Sequence, residues 1–166
     1  MGFFSKIKNF ITGGAAEVAI IYEEPITDGS KPVKLFVTAT ANDDCKIKKV
    51  YLNFRARETY IKRHERKRTD DDGHTTTYHE DLTEHLDHFT KELILAEDIM
   101  LSKGQSDKWL AEIELPSSPI ATFHGRDVFF KWEAEAGLDM PGNDPDSGWV
   151  ELIVAKKMNY TINDIA

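Results

Sequence analysis

The stretch that decides the fold of this chain reads Val128-Phe129-Phe130-Lys131-Trp132-Glu133-Ala134-Glu135-Ala136. Its even-numbered members are all apolar, and Lys131, Glu133 and Glu135 alternate with them. Because successive side chains of a β-strand point to opposite faces, a period of two predicts a strand with one buried face. The rest of the architecture can be worked out from this strand.

Segments on both sides of it also have strand character. They are rich in β-branched and aromatic residues, and turn sequences such as Asp28-Gly29-Ser30 and Ser102-Lys103-Gly104 separate them. About seven strands without strand–helix alternation predict an all-β, immunoglobulin-like antiparallel β-sandwich. The predicted strands besides the first are Glu17–Tyr22, Val33–Thr38, Ile47–Ala56, Trp109–Leu115 and Val150–Val154.

The 166 residues fit a single domain, which we place at residues 15–156 with a C-terminal tail at 157–166. Residues 1–14 are predicted to form a short amphipathic helix that docks on its own domain, on a partner or on a membrane surface. The apolar residues at helical spacing are Phe3, Phe4, Ile7, Phe10 and Ile11.

The polar segment Glu58–Thr90 predicts a long hairpin with a charged tip at Asp71-Asp72-Gly73. Its outgoing arm carries the basic run Lys62–Arg68, and its return arm carries acidic residues. Cross-strand ion pairs between the arms are the simplest expectation, and exposed pairs of this kind add little stability. The acidic residues concerned are Glu80, Asp81 and Glu84.

The same basic run is the candidate partner-binding site. Guanidinium groups can bind carboxylate or phosphate oxygens with two parallel hydrogen bonds, so the run could dock an acidic peptide or a phosphorylated segment. The alternative is a solvated arm that faces its acidic partner arm. The candidate residues are Arg63, Arg66, Lys67 and Arg68.

Composition limits the class of partner and the compartment. The net charge of −8 disfavours nucleic-acid binding, which needs a surplus of basic residues. A single cysteine, Cys45, excludes an intramolecular disulfide and fits a reducing compartment. No apolar run is long enough for a transmembrane segment, and the N-terminus lacks the form of a secretory signal. We therefore predict a cytoplasmic protein.

Several segments together resemble the N-terminal domain of the arrestin-like superfamily, closest to the bacterial sporulation-control type. They are Met1–Lys6 leading to Gly13–Val18, the strand pair Val33–Val37 and Ile47–Leu52, Ile113–Pro119 with its Leu-Pro end, and Gly125–Ala134. The resemblance implies a scaffold or adaptor that binds proteins through loops and sheet edges, without catalysis. Members of that family commonly carry two sandwich domains, and this chain has room for one.

Three histidines, His79, His85 and His88, are weak metal candidates because acidic residues lie among them. On a strand, residues three apart point to opposite faces, so His85 and His88 would converge only on a helix or an irregular turn. No metal site is therefore predicted.

The alternative function is a calcium- or carbohydrate-binding sandwich. Residues 139–148 are rich in oxygen ligands, and Trp149 follows them as a possible sugar platform. Their spacing does not match an EF-hand loop, and turns favour the same residue types.

No catalytic set is recognisable. The chain has no nucleophile elbow and no phosphate-binding glycine loop, and the carboxylates beside Cys45 would keep its thiol protonated. We predict a non-enzymatic protein without a cofactor. An exposed sheet edge could also pair with a second copy, so a homodimer is possible in principle.

Overall fold

The computed structural model describes residues 14–142 and 144–156. The described residues form nine β-strands, and the predicted strand at Val128 extends to Asp139. In chain order they are β1 (Ala16–Tyr22), β2 (Ile26–Thr27), β3 (Val33–Ala41), β4 (Cys45–Thr69), β5 (Thr75–Leu101), β6 (Ser106–Ile113), β7 (Phe123–His124), β8 (Val128–Asp139) and β9 (Val150–Val154).

The strands form two sheets. One has three strands in the order β1-β3-β6, and the other has six, in the order β2-β9-β8-β4-β5 with β7 beside β8. All the pairs are antiparallel except β2 with β9, which is parallel and two residues long. The prediction of an all-β sandwich is confirmed, with this one parallel pair as an addition.

The core lies between the two sheets. The even-numbered residues of β8 from Phe130 to Leu138 are buried as predicted, and Trp132 is 2% exposed. The odd-numbered residues of β3, such as Leu35 and Val37, face them from the other sheet with no exposed surface. Trp132 also donates its indole N–H to the carbonyl of Ile120 at 2.8 Å, which satisfies its polar atom. Alternation in the sequence therefore corresponds to burial in the fold.

The hairpin of β4 and β5 is much longer than the sandwich around it. β8 accompanies β4 only as far as the pair Tyr60↔Val128, whereas β4 and β5 stay paired out to Thr69↔Thr75. We call residues 62–82 the distal hairpin. At about 3.4 Å per residue, its arms extend roughly 25 Å beyond the body of the sandwich.

Two of the predicted segments, the N-terminal helix and the C-terminal tail, lie outside the described residues apart from Gly14. Within the described residues, the structure contains no helix that is long and apolar enough to cross a membrane.

Candidate functional site

The tip of the distal hairpin is built by a tight turn at residues 70–74. The Asp70 carboxylate accepts the backbone N–H of His74 at 2.7 Å, and the Asp70 carbonyl accepts that of Gly73 at 3.0 Å. Gly73 has a φ of 83°, a conformation that glycine adopts without a steric penalty. The predicted tip at Asp71-Asp72-Gly73 is thus confirmed.

Ion pairs join the two arms as the sequence predicted. Arg66 contacts Glu80 at 2.6 Å, Arg63 contacts Asp81 at 3.3 Å and Lys62 contacts Glu84 at 2.5 Å. All of these side chains are substantially exposed, so each pair contributes at most about 1 kcal/mol. Their main effect is to neutralise part of the basic run.

The four candidate binding residues therefore fall into two groups. Arg63 and Arg66 are occupied by acidic partners on β5. Lys67 and Arg68 form no ion pair with any other residue that the structure describes, and both are exposed. These two side chains, near the tip, are the ones available to a binding partner.

One backbone edge of β4 is open along the distal hairpin. The last bond that β4 makes toward β8 runs from the N–H of Ile61 to the carbonyl of Asp127, at 2.8 Å. In an antiparallel strand alternate residues direct their N–H and C=O to the same side. The residues that share this orientation with Ile61 therefore direct their N–H and C=O groups away from β5 and into the space beyond the end of β8. They are Arg63, Glu65, Lys67 and Thr69.

The base of the hairpin is held by a more enclosed set of polar contacts. Arg57 donates two hydrogen bonds to Asp87, at 2.6 and 2.8 Å, and this contact holds the pKa of Asp87 below its usual range. Beside it, His88 lies 2.7 Å from Glu58. Hydrogen bonds from Tyr60 and His88 lower the pKa of Glu58. Both acids thus stay ionised at neutral pH.

The three histidines are not brought together. His85 contacts the Thr59 hydroxyl at 2.9 Å, His88 contacts Glu58, and His79 lies opposite Glu65. In the described part of the chain, no group of three or more His, Cys, Asp and Glu residues could hold a metal ion.

The acidic loop uses its oxygen atoms to form turns. Asp144 accepts the N–H of Met140 at 3.0 Å, and Asp146 accepts that of Gly148 at 2.8 Å. Ser147 is fully buried and accepts the N–H of Ala136 at 3.0 Å. Turn formation thus accounts for the composition that suggested calcium.

Trp149, the candidate sugar platform, is covered. The Arg55 guanidinium lies 3.5 Å from the centre of its ring. Arg55 is itself held by Glu133 through a hydrogen bond of 2.7 Å. Arg55 and Trp149 are far apart in sequence, so this stacking could be found only from the fold.

Cys45 is buried at the start of β4, and burial is the main cause of its raised pKa, with Asp44 a smaller one. The sequence predicted a raised thiol pKa from the neighbouring carboxylates; burial acts in the same direction and is the larger cause.

A cleft that sequence reasoning missed lies beside the end of β9, at the end of the sandwich from which the hairpin projects. It has a volume of about 860 Å³ and is lined by Ile26, Thr27, Pro32, Lys34 and Lys156, among others. Lys34 of β3 forms an ion pair at 3.3 Å with Glu112, the residue opposite it on β6, and both line the cleft. Other lining residues come from the short strand β2 and the loop after it, neither of which has a recognisable sequence period.

With the geometry established, comparison with known structures identifies the architecture. The chain is similar to the crystal structure of Spo0M, a sporulation control protein from Bacillus subtilis, with a TM-score of 0.58 and 15% identity. The fold is arrestin-like. The resemblance predicted from sequence is therefore confirmed at the level of the fold.

The match covers 85% of this chain and 49% of the Spo0M chain, so this chain spans about half the length of that protein. No protein-family model matches the chain, and no curated protein matches it.

Proposed function

We propose that this arrestin-like chain is a non-catalytic protein-interaction module, of scaffold, adaptor or regulatory type, that acts in the bacterial cytoplasm. We further propose that it binds a protein or peptide partner through the distal hairpin. One observation carries this proposal: the side chains of residues 62–79 are all exposed. A long, ordered projection that adds nothing to the core is typical of a binding element on a rigid scaffold.

The fold supports a regulatory role. Spo0M, which shares this architecture, is described as a sporulation control protein. The hairpin also has a feature that suits recognition, because Lys67 and Arg68 are exposed while the neighbouring basic residues are neutralised by β5. The binding determinants thus lie within a few residues of the tip.

The test is to reverse the two free charges and leave the ion pairs intact. In the variant Lys67→Glu/Arg68→Glu, we expect loss of partner capture from a lysate of the source cell, with the free energy of unfolding within about 0.5 kcal/mol of wild type. Reversal of Arg63 or Arg66 is unsuitable, because either change would place a carboxylate beside an acidic partner and would disturb the contacts between the two arms.

The matched control is Lys46→Glu/Lys48→Glu, at the opposite end of β4. Both residues are exposed, and the 3.7 Å contact of Lys48 with Asp139 is long. This control has the same change in net charge and should retain the partner. If both variants lose it equally, the effect is one of general charge; if both retain it, the hairpin is not the binding site.

A further inference from the structure

We infer that the open edge of β4, from Lys62 to Thr69, binds an extended acidic segment of a partner protein as an added β-strand. This inference rests on the proposed function, because it names the chemistry of the partner at the same hairpin. The backbone groups on that edge, the space beside them and the charges that surround that space all support it.

The backbone provides the means of attachment. Arg63, Glu65, Lys67 and Thr69 direct their N–H and C=O groups outward, as the bond from Ile61 to Asp127 requires for alternate residues. An unpaired row of donors and acceptors is a template for another strand. Strand addition of this kind supplies main-chain hydrogen bonds, and the flanking side chains supply selectivity.

The space beside the edge is bounded at one end. β8 occupies the position next to β4 up to Val128, so an added strand would lie in line with β8 and stop where it begins. The opening is therefore about eight residues long. A second copy of the chain cannot place its β5 there in antiparallel orientation, because the rest of that strand would run into β8.

The side chains that flank the opening favour an acidic occupant. Between Lys62 and Arg68, five of seven residues are Lys or Arg, and Glu65 is the single acid. Lys62, Arg63 and Arg66 are paired with acids of β5, so the uncompensated charges beside the opening are those of Lys67 and Arg68.

The experiment uses synthetic peptides of ten residues. The probe alternates Glu with Val, and two controls have the same length. One control alternates Lys with Val. The other is the Glu-Val sequence with every backbone nitrogen methylated, which retains the charges but has no backbone N–H to donate. Binding is measured by fluorescence anisotropy with the full chain. We expect the Glu-Val peptide to bind and both controls to bind at least about tenfold more weakly, a difference of one good interaction.

Two substitutions at one position separate backbone from charge. Lys67→Pro removes an N–H that faces the opening but leaves every hydrogen bond to β5 in place. Lys67→Ala removes the charge and keeps the N–H. We expect Lys67→Pro to weaken the binding of the Glu-Val peptide by about tenfold, and Lys67→Ala to weaken it by less. Amide hydrogen exchange should slow at Glu65 and Lys67 when the peptide is added, more than at His64 and Arg66, which already face β5.

Equal binding of the N-methylated peptide, or equal binding to the Lys67→Pro variant, would overturn strand addition. Preference for the Lys-Val peptide would overturn the acidic partner, and concentration-dependent dimerisation that Lys67→Pro abolishes would assign the edge to a second copy. If Lys67→Glu/Arg68→Glu still loses the cellular partner in any of these cases, the proposed function stands and only the strand inference fails.

Discussion

At the scale of single residues, the pair Arg57–Asp87 is the best-defined polar contact at the root of the hairpin. Its two hydrogen bonds are short and both side chains are about one-quarter to one-third exposed. The geometry is the bidentate one in which an arginine–carboxylate contact is strongest. It lies next to a register shift between the two strands, where His88 has no residue of β4 directly opposite it.

This contact predicts a pH-dependent stability. Because the pKa of Asp87 is lowered in the folded state, its contribution is present above the ordinary value of 3.8 and is lost as the pH falls through the folded pKa. We expect Asp87→Asn to reduce the free energy of unfolding by about 1 kcal/mol at pH 7, and the difference from wild type to shrink below pH 4. Urea unfolding followed by tryptophan fluorescence measures this.

The matched control is Asp81→Asn, which breaks the exposed 3.3 Å contact with Arg63. That change should cost less than about 0.5 kcal/mol, as surface substitutions usually do. Equal reductions in the free energy of unfolding for the two variants would show that the bidentate contact stabilises the fold no more than the exposed one does.

Single residues also show where sequence reasoning stops. The basic run and its acidic partner arm were predictable from composition and from the turn at the tip. The sequence could not predict which basic residues remain unpaired, because Arg66 reaches diagonally to Glu80 and Lys62 reaches diagonally to Glu84. The covering of Trp149 by Arg55 was likewise hidden, since nothing local links the two.

At the scale of elements, the hairpin and the sandwich are built on different principles. The sandwich is held by buried alternating side chains, and the distal hairpin by backbone bonds and exposed ion pairs. The body should therefore fold without the projection.

We accordingly predict that the sandwich tolerates truncation. Replacement of residues 63–81 with Asn-Gly joins Lys62 to Leu82, which already face each other, by a two-residue turn. The free energy of unfolding should change by less than about 1 kcal/mol, because the side chains removed are almost entirely exposed. Urea unfolding measures the change; a large loss of stability would mean that the hairpin supports the core.

Elements with a clear period were predicted well. β8 and β9 were found at their observed starts, because alternation and the flanking Pro and Gly residues are local signals. β2 and β7, each of two residues, were missed because no period can be read from two positions. The irregularities of β5 opposite Val50/Tyr51 and Ala56/Arg57 were also missed, since they are properties of pairing and not of one strand.

At the scale of the whole molecule, one core joins both sheets, and Cys45 is part of it with 5% exposure. Burial also raises the pKa of its thiol, so little thiolate is present at neutral pH. Modification of this side chain therefore requires the sheets to open.

We predict that iodoacetamide labels Cys45 slowly in the native protein and that the labelling rate rises with urea in step with unfolding. The control is Cys45→Ser/Lys46→Cys, which moves the thiol to the exposed neighbouring position and should be labelled at once. Fast labelling of wild type in the absence of urea would show that the start of β4 opens locally.

The unbroken course of β4, from Cys45 in the core to Thr69 at the tip, has a mechanical consequence. The backbone bonds that hold it to β5 and β8 lie across the strand direction. A pull along the hairpin from a bound partner would therefore load many of these bonds together in shear. A sideways pull at the tip would instead break these bonds one after another. The same projection is thus stiff along its length and compliant across it.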